Sequence, residues 1–165
     1  MATAYLSLGS NIDAMRHFHA AREALSARFG DVRLSSVYVT PAVGFDGADF
    51  HNAAALIATD LDPVALNTWL HALEDAQGRD RSGPRFGDRT LDIDIVLYVD
   101  DAGHGVVMRG VGNLQLPRED LRHAFVLKPL AEIAPDVVVP GDARTLSVMW
   151  CAHADREQVF DTVAW

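Results

Sequence analysis

The order strand, helix, two strands, helix, strand, with further helix behind it, predicts an α+β domain. It is the ferredoxin-like split βαβ with an antiparallel-rich sheet and added C-terminal helices. Two observations carry this expectation. Two cleanly punctuated helical patterns alternate with β-branched or alternating runs, and no repeat, linker or low-complexity tract divides the 165 residues, so one domain over 1–165 is expected.

Residues 3–8, TAYLSL, form the first strand, closed by the turn cluster Gly9, Ser10, Asn11. A helix follows. Asp13 suits its N-cap, Met15, Phe18, Arg22, Leu25 and Phe29 keep helical spacing, and Gly30 suits the C′ stop. His17 and His19 lie two apart on it and face different ways, which argues against a metal pair. Residues 32–40, VRLSSVYVT, read as one strand stopped by Pro41. The loop 41–50 mixes Pro, Gly and Asp with Val43, Phe45 and Phe50, a ligand-contacting composition. From His51 the run HNAAALIATDL alternates as a strand with small residues packed under helices, and Asn52 stands near its start.

Asp62-Pro63 opens the second helix, whose buried stripe is Leu66, Trp69, Leu70 and Leu73 before Gly78. Glu74 lies in its last turns, where a carboxylate opposes the helix dipole, and reads as a solvated surface acid, though it stands close in sequence to the arginines that follow. Residues 99–116 are glycine-rich and read as a loop or small hairpin. Residues 117–134 read as helical segments broken at Pro129, 137–139 as a short strand, and 145–154 as a final helix. Cys151, the only cysteine, falls in the apolar run VMWCA and reads as core.

Composition narrows the function. A net charge of −9 argues against a nucleic-acid surface or an anionic-membrane binder. No stretch has the roughly 18 apolar residues of a membrane span, and no signal-peptide pattern opens the chain. A soluble, cytoplasmic protein is the expectation. One lysine, Lys128, and no Walker A pattern exclude the ordinary P-loop route to phosphates.

Local charge points the other way. In GRDRSGPRFGDRTLDIDIVLY, Gly78 to Tyr98, the arginines Arg79, Arg81, Arg85 and Arg89 precede a strand bearing Asp92 and Asp94. Alternation puts Leu91, Ile93, Ile95 and Leu97 on one face and Asp92, Asp94, Val96 and Tyr98 on the other. Two carboxylates about 7 Å apart at Cα suit hard cations such as Mg²⁺. Arginines beside them suit phosphate. An edge strand whose outer face merely happens to carry two aspartates is the plainer alternative.

A resemblance enters on AYLSLGSN at 4–11, SSVYVTP at 35–41, FHNAA at 50–54, LEDAQGRDRSGPRFGDRTLDIDIVLY at 73–98 and FVLKPLAEIAP at 125–135. Over nearly its whole length the chain resembles the 6-hydroxymethyl-7,8-dihydropterin pyrophosphokinase family of folate biosynthesis. The resemblance implies transfer of pyrophosphate from ATP to the pterin hydroxymethyl group, releasing AMP. It implies Asp92 and Asp94 as ligands of two Mg²⁺, with Asp94 nearest the attacking hydroxyl. It implies Arg79, Arg81 and Arg89 as catalytic or phosphate arginines, Arg85 in the same loop, and Glu74 and Ile95 at the nucleotide site. The pterin pocket would comprise Thr40, Pro41, Val43, Phe50, Asn52 and Phe125. A monomer is expected, with ATP and the pterin as its partners.

Three departures stand out. Pro117-Arg118-Glu119 replaces the usual Pro-His, with one residue fewer before Phe125, leaving Arg118, Arg122 or His123 as stand-ins. Phe50 and Phe86 replace a tyrosine and a tryptophan. Pro41-Ala42 replaces a Pro-Pro. A diverged, non-catalytic pterin- or nucleotide-binding regulatory module is therefore the alternative, and a metal-binding domain with no pterin role a third.

Overall fold

The computed structural model describes residues 1–41, 48–79 and 90–165. Val43, Arg81, Arg85, Phe86 and Arg89 lie outside these. Thirteen elements follow in order: β1 (Ala2–Ser10), α1 (Ala14–Phe29), β2 (Val32–Leu34), β3 (Val37–Thr40), β4 (Phe50–Thr59), α2 (Pro63–Ala76), β5 (Asp92–Val99), β6 (Met108–Val111), β7 (Leu114–Leu116), a 3₁₀ turn (Glu119–Arg122), α3 (Ala124–Ile133), α4 (Leu146–Cys151) and β8 (Asp161–Val163). The main sheet runs β5-β1-β4-β3-β8, with β2 also on β4, and every pairing in it is antiparallel. That is the expected α+β arrangement.

Each face of the sheet has its own core. On one, Leu6, Leu8, Ala53, Ala55, Ile57, Ile93 and Ile95 meet Phe18, Ala21 and Leu25 of α1 and Leu66 and Leu70 of α2. On the other, Tyr5, Ala54 and Leu97 meet Val126, Leu127 and Leu130 of α3. The alanines of β4 let helices approach closely from both sides. At about 25 cal/mol per Å² of apolar surface, this two-sided burial is the main stabilising contribution.

Helix ends are partly as expected. Asp62 accepts the Ala65 N–H at 2.8 Å with Pro63 behind it, a working N-cap. Gly30 closes α1 with φ of 83°. Asp13 occupies the N-cap position, but its carboxylate pairs with Arg16 at 2.8 Å instead of capping.

Several expectations are corrected. The strand 32–40 is two, because Ser35, 2 % exposed, turns its hydroxyl onto the Ala54 N–H at 2.8 Å and interrupts the ladder. β5 carries a bulge: Tyr5 faces Leu97 while Leu6 faces Ile95, so Val96 is the extra residue. Alternation therefore flips, and Tyr98 joins the α1/α2 core while Leu97 joins the α3 core. α3 runs through Pro129 unbroken, the lost N–H being offset by burial of the ring in the core. Residues 137–139 give only a bridge, Val138 to Thr145. β8 adds a strand where none was expected. Cys151 is exposed, since α4 is short and turns that side outward.

Candidate functional site

Across the sheet at the C-terminal end of β1, Tyr38, Asn52, Gly9 and Asp92 stand in one row, and Ala54, Ser7 and Asp94 in the next. All belong to the face covered by α3, because Ile93 and Ile95 take the other. Gly9 is the gap in the row. A Cβ there would lie 3.4 Å from Asn52 Oδ1, so glycine keeps the floor open between the amide and the carboxylate.

The neutral half comprises β3, β4 and the start of α3. Asn52, 5 % exposed, donates through Nδ2 to Thr40 Oγ1 at 3.1 Å, which fixes how the amide is turned. Phe50 sits opposite Thr40, and exposed Pro41 follows. Phe125, in the first turn of α3, stacks against His123 with ring centres 5.0 Å apart and planes within 8°. A half-buried flat ring and a held amide suit a flat heteroaromatic with donors and acceptors on its edge.

The charged half centres on β5. Glu74 is 2 % exposed, so it is no solvated acid: its Oε2 accepts the Ile93 N–H at 2.9 Å and lies 3.3 Å from Arg79 Nη1. The same Nη1 lies 3.1 Å from Asp92 Oδ1 and donates to the Leu91 carbonyl at 3.1 Å. Arg79 thus points inward as a clasp. Burial, more than any single neighbour, pushes Glu74 up to about 7. Asp94 is pushed up to about 7 by burial and then by the Asp92 charge, with Arg118 acting against the rise.

Arg118 is the residue that sequence reasoning named only as a stand-in. Its Nη2 lies 3.8 Å from Asp94 Oδ2, its Nε pairs with Asp120 at 3.0 Å, and its amide bonds the Val96 carbonyl. Strand β5 therefore holds the 117–122 segment directly beside Asp94. His123 stacks on Phe125, and the Arg122 backbone carbonyl bonds His153 Nε2. Ile95 is 2 % exposed in the α1/α2 core, so its side chain faces away from this site.

Two adjacent carboxylates fit a hard divalent cation. The Asp92 charge raises the cost of ionising Asp94, a repulsion such a cation relieves. Among the described residues no third His, Cys, Asp or Glu completes a metal group.

The chain's similarities to known proteins point to one family. A family model described as 7,8-dihydro-6-hydroxymethylpterin-pyrophosphokinase (HPPK) matches residues 5–135. The chain is 40% identical over 146 residues to the 2-amino-4-hydroxy-6-hydroxymethyldihydropteridine pyrophosphokinase of Haemophilus influenzae, covering 86% of this chain and 87% of that one. It is 42% identical over 147 residues to the protein of that name from Methylorubrum extorquens, covering 86% and 89%. Among solved structures, Plasmodium falciparum HPPK-DHPS superposes with TM-score 0.70 at 14% identity. It covers 96% of this chain, which spans 45% of that longer one, a likeness of fold.

Proposed function

The chain belongs to the 7,8-dihydro-6-hydroxymethylpterin-pyrophosphokinase family, and from that membership we propose how its site works. It is an ATP-dependent pyrophosphokinase that transfers pyrophosphate from ATP to 6-hydroxymethyl-7,8-dihydropterin in folate biosynthesis. The observation that best supports the assignment of parts is the row Asn52, Gly9, Asp92, which sets a neutral amide pocket and a carboxylate pair on one face.

The hydroxymethyl oxygen attacks the β-phosphorus of ATP, the bond from that phosphorus to the α-phosphate bridge breaks, and AMP leaves. Asn52, Phe50, Phe125, Thr40, Pro41 and Val43 hold the pterin, the rings gripping its faces and the amide its edge. Asp92 and Asp94 hold two Mg²⁺, which supply charge neutralisation on the phosphate oxygens when bound. Asp94 also accepts the hydroxymethyl proton. Arg81, Arg85 and Arg89 draw in the triphosphate, and Arg118 takes the place of the family's usual histidine beside it. One chain suffices for all these parts. Among the described residues no helix is long and apolar enough to cross a membrane.

Incubation with Mg²⁺, ATP and 6-hydroxymethyl-7,8-dihydropterin tests the assignment, with AMP and the pyrophosphorylated pterin as the expected products. Release of ADP would overturn it. Binding of both substrates without AMP would favour the non-catalytic regulatory module, a reading the altered 117–124 segment motivates.

A further inference from the structure

Family resemblance places Glu74 at the nucleotide. Its surroundings suit another task. Only 3 % of the side chain is exposed, and its Oε2 takes the Ile93 N–H, the amide between the two aspartates. Through Arg79 it also reaches the residues on either side of the strand's entry, the Leu91 carbonyl and the Asp92 carboxylate. Three consecutive residues at the entry of the aspartate strand, Leu91 to Ile93, are therefore tied to one buried carboxylate on α2.

The chain leading from it is also fixed. The amides of Gln77, Gly78 and Arg79 bond back to carbonyls of Leu73, Glu74 and Asp75. Gly78 turns at φ of 80°, a conformation that glycine adopts at little cost. Helix end, Arg79 and β5 entry form one closed circuit. A carboxylate so enclosed has little surface to offer a nucleotide. It shares the Arg79 guanidinium with Asp92, at 3.3 and 3.1 Å, and so helps fix where that cation and the Asp92 carboxylate sit.

We propose that Glu74 is a positioning residue, which sets the Asp92 and Asp94 carboxylates for cation binding through Arg79 and the Ile93 amide and makes no contact with the nucleotide. This rests on the reading of the two aspartates as metal ligands.

The test uses Mn²⁺ as probe, titrated into the metal-free protein and read by electron paramagnetic resonance. Glu74→Gln keeps an acceptor for the Ile93 amide but removes the charge that holds Arg79. It is expected to weaken Mn²⁺ binding about fivefold to tenfold, the scale of one charge-assisted contact. The Mg²⁺ needed for half-maximal AMP release should rise in parallel. Pterin affinity without metal should stay within about twofold, as should affinity for a non-hydrolysable ATP analogue without metal. Asp75→Asn removes a charge from the same helix turn and controls for net charge. In an Arg79→Gln background the Glu74→Gln effect should shrink below about twofold, since the two act as one unit.

Loss of metal-free analogue affinity with Mn²⁺ binding unchanged would overturn the proposal in favour of nucleotide contact. An equal effect from Asp75→Asn would reduce it to bulk charge and overturn it too. Should Glu74→Gln fail to fold, Glu74→Asp, which keeps the charge but shortens the reach, carries the same measurements and expectations. Asp94→Asn separates the two layers. If it leaves Mn²⁺ binding intact, the metal reading fails and this proposal with it; if it abolishes binding while Glu74→Gln has no effect, the positioning proposal alone fails.

Discussion

The two halves of the candidate site are built on one sheet face yet stabilised in opposite ways. In the neutral half Asn52 bonds the Thr40 hydroxyl and Phe125 stacks on His123. Around Asp92 and Asp94 nearly every contact is ionic, with Arg79 and Arg118 set against Glu74, Asp92, Asp94 and Asp120. Neutral hydrogen bonds can hold a rigid pocket at little desolvation cost, whereas adjacent carboxyl groups in a half-buried place either hold protons or need counter-charges. The half that handles phosphate thus carries its own stand-in cations. The half that handles a flat ring needs none.

If that contrast is right, damage to the charged half should abolish chemistry and damage to the neutral half should reduce affinity. Asp94→Ala should show the largest effect, lowering AMP release by roughly 10³-fold or more with the far-ultraviolet circular dichroism spectrum unchanged. Unchanged turnover would refute its place in the reaction. Arg81→Ala or Arg89→Ala should come next, reducing turnover more than pterin affinity. On the neutral side, Asn52→Ala or Phe125→Ala should raise the pterin Kd by about tenfold. Calorimetric titration with an ATP analogue should show no matching loss.

A pH series sharpens the same contrast. Glu74 and Asp94, pushed up to about 7, hold protons in the folded state that ordinary carboxyls release near 4 once unfolded. The folded state then binds more protons between about pH 4 and 7, so stability of the metal-free protein should fall as pH rises through that window and level off above it. Thermal melts in chelator from pH 5 to 8 check this. Excess Mg²⁺ should flatten the trend, and Asp94→Asn should remove part of it. The smallest effect belongs to neither half: Asp62→Ala, losing the α2 cap, should cost about 1 kcal/mol in melting experiments and leave substrate affinities alone.

Much of this was legible in the chain. Period-two alternation put Asp92 and Asp94 on a common face, and Asp62-Pro63 marked the α2 start because cap chemistry is local. What failed was tertiary. The Val96 bulge was hidden because residues 95–98 are all apolar and can occupy either face. β8 escaped because Asp-Thr-Val has no hydrophobic pattern and pairs with β3 only through the folded sheet. Glu74 read as a possible surface acid, since nothing local tells an acid over solvent from one closed over a strand amide. Arg118 could not be placed until the hydrogen bond from its backbone N–H to the Val96 carbonyl fixed where the shortened segment runs.

Gly9 has a last consequence. Because Asn52 and Asp92 flank it on neighbouring strands, the span between amide and carboxylate is set by two inter-strand spacings, about 9.5 Å. The sheet acts as a ruler whose graduations are hydrogen-bond lengths. The distance a substrate must bridge from its recognised edge to its reacting oxygen is written in the backbone, where side-chain substitution cannot readily alter it.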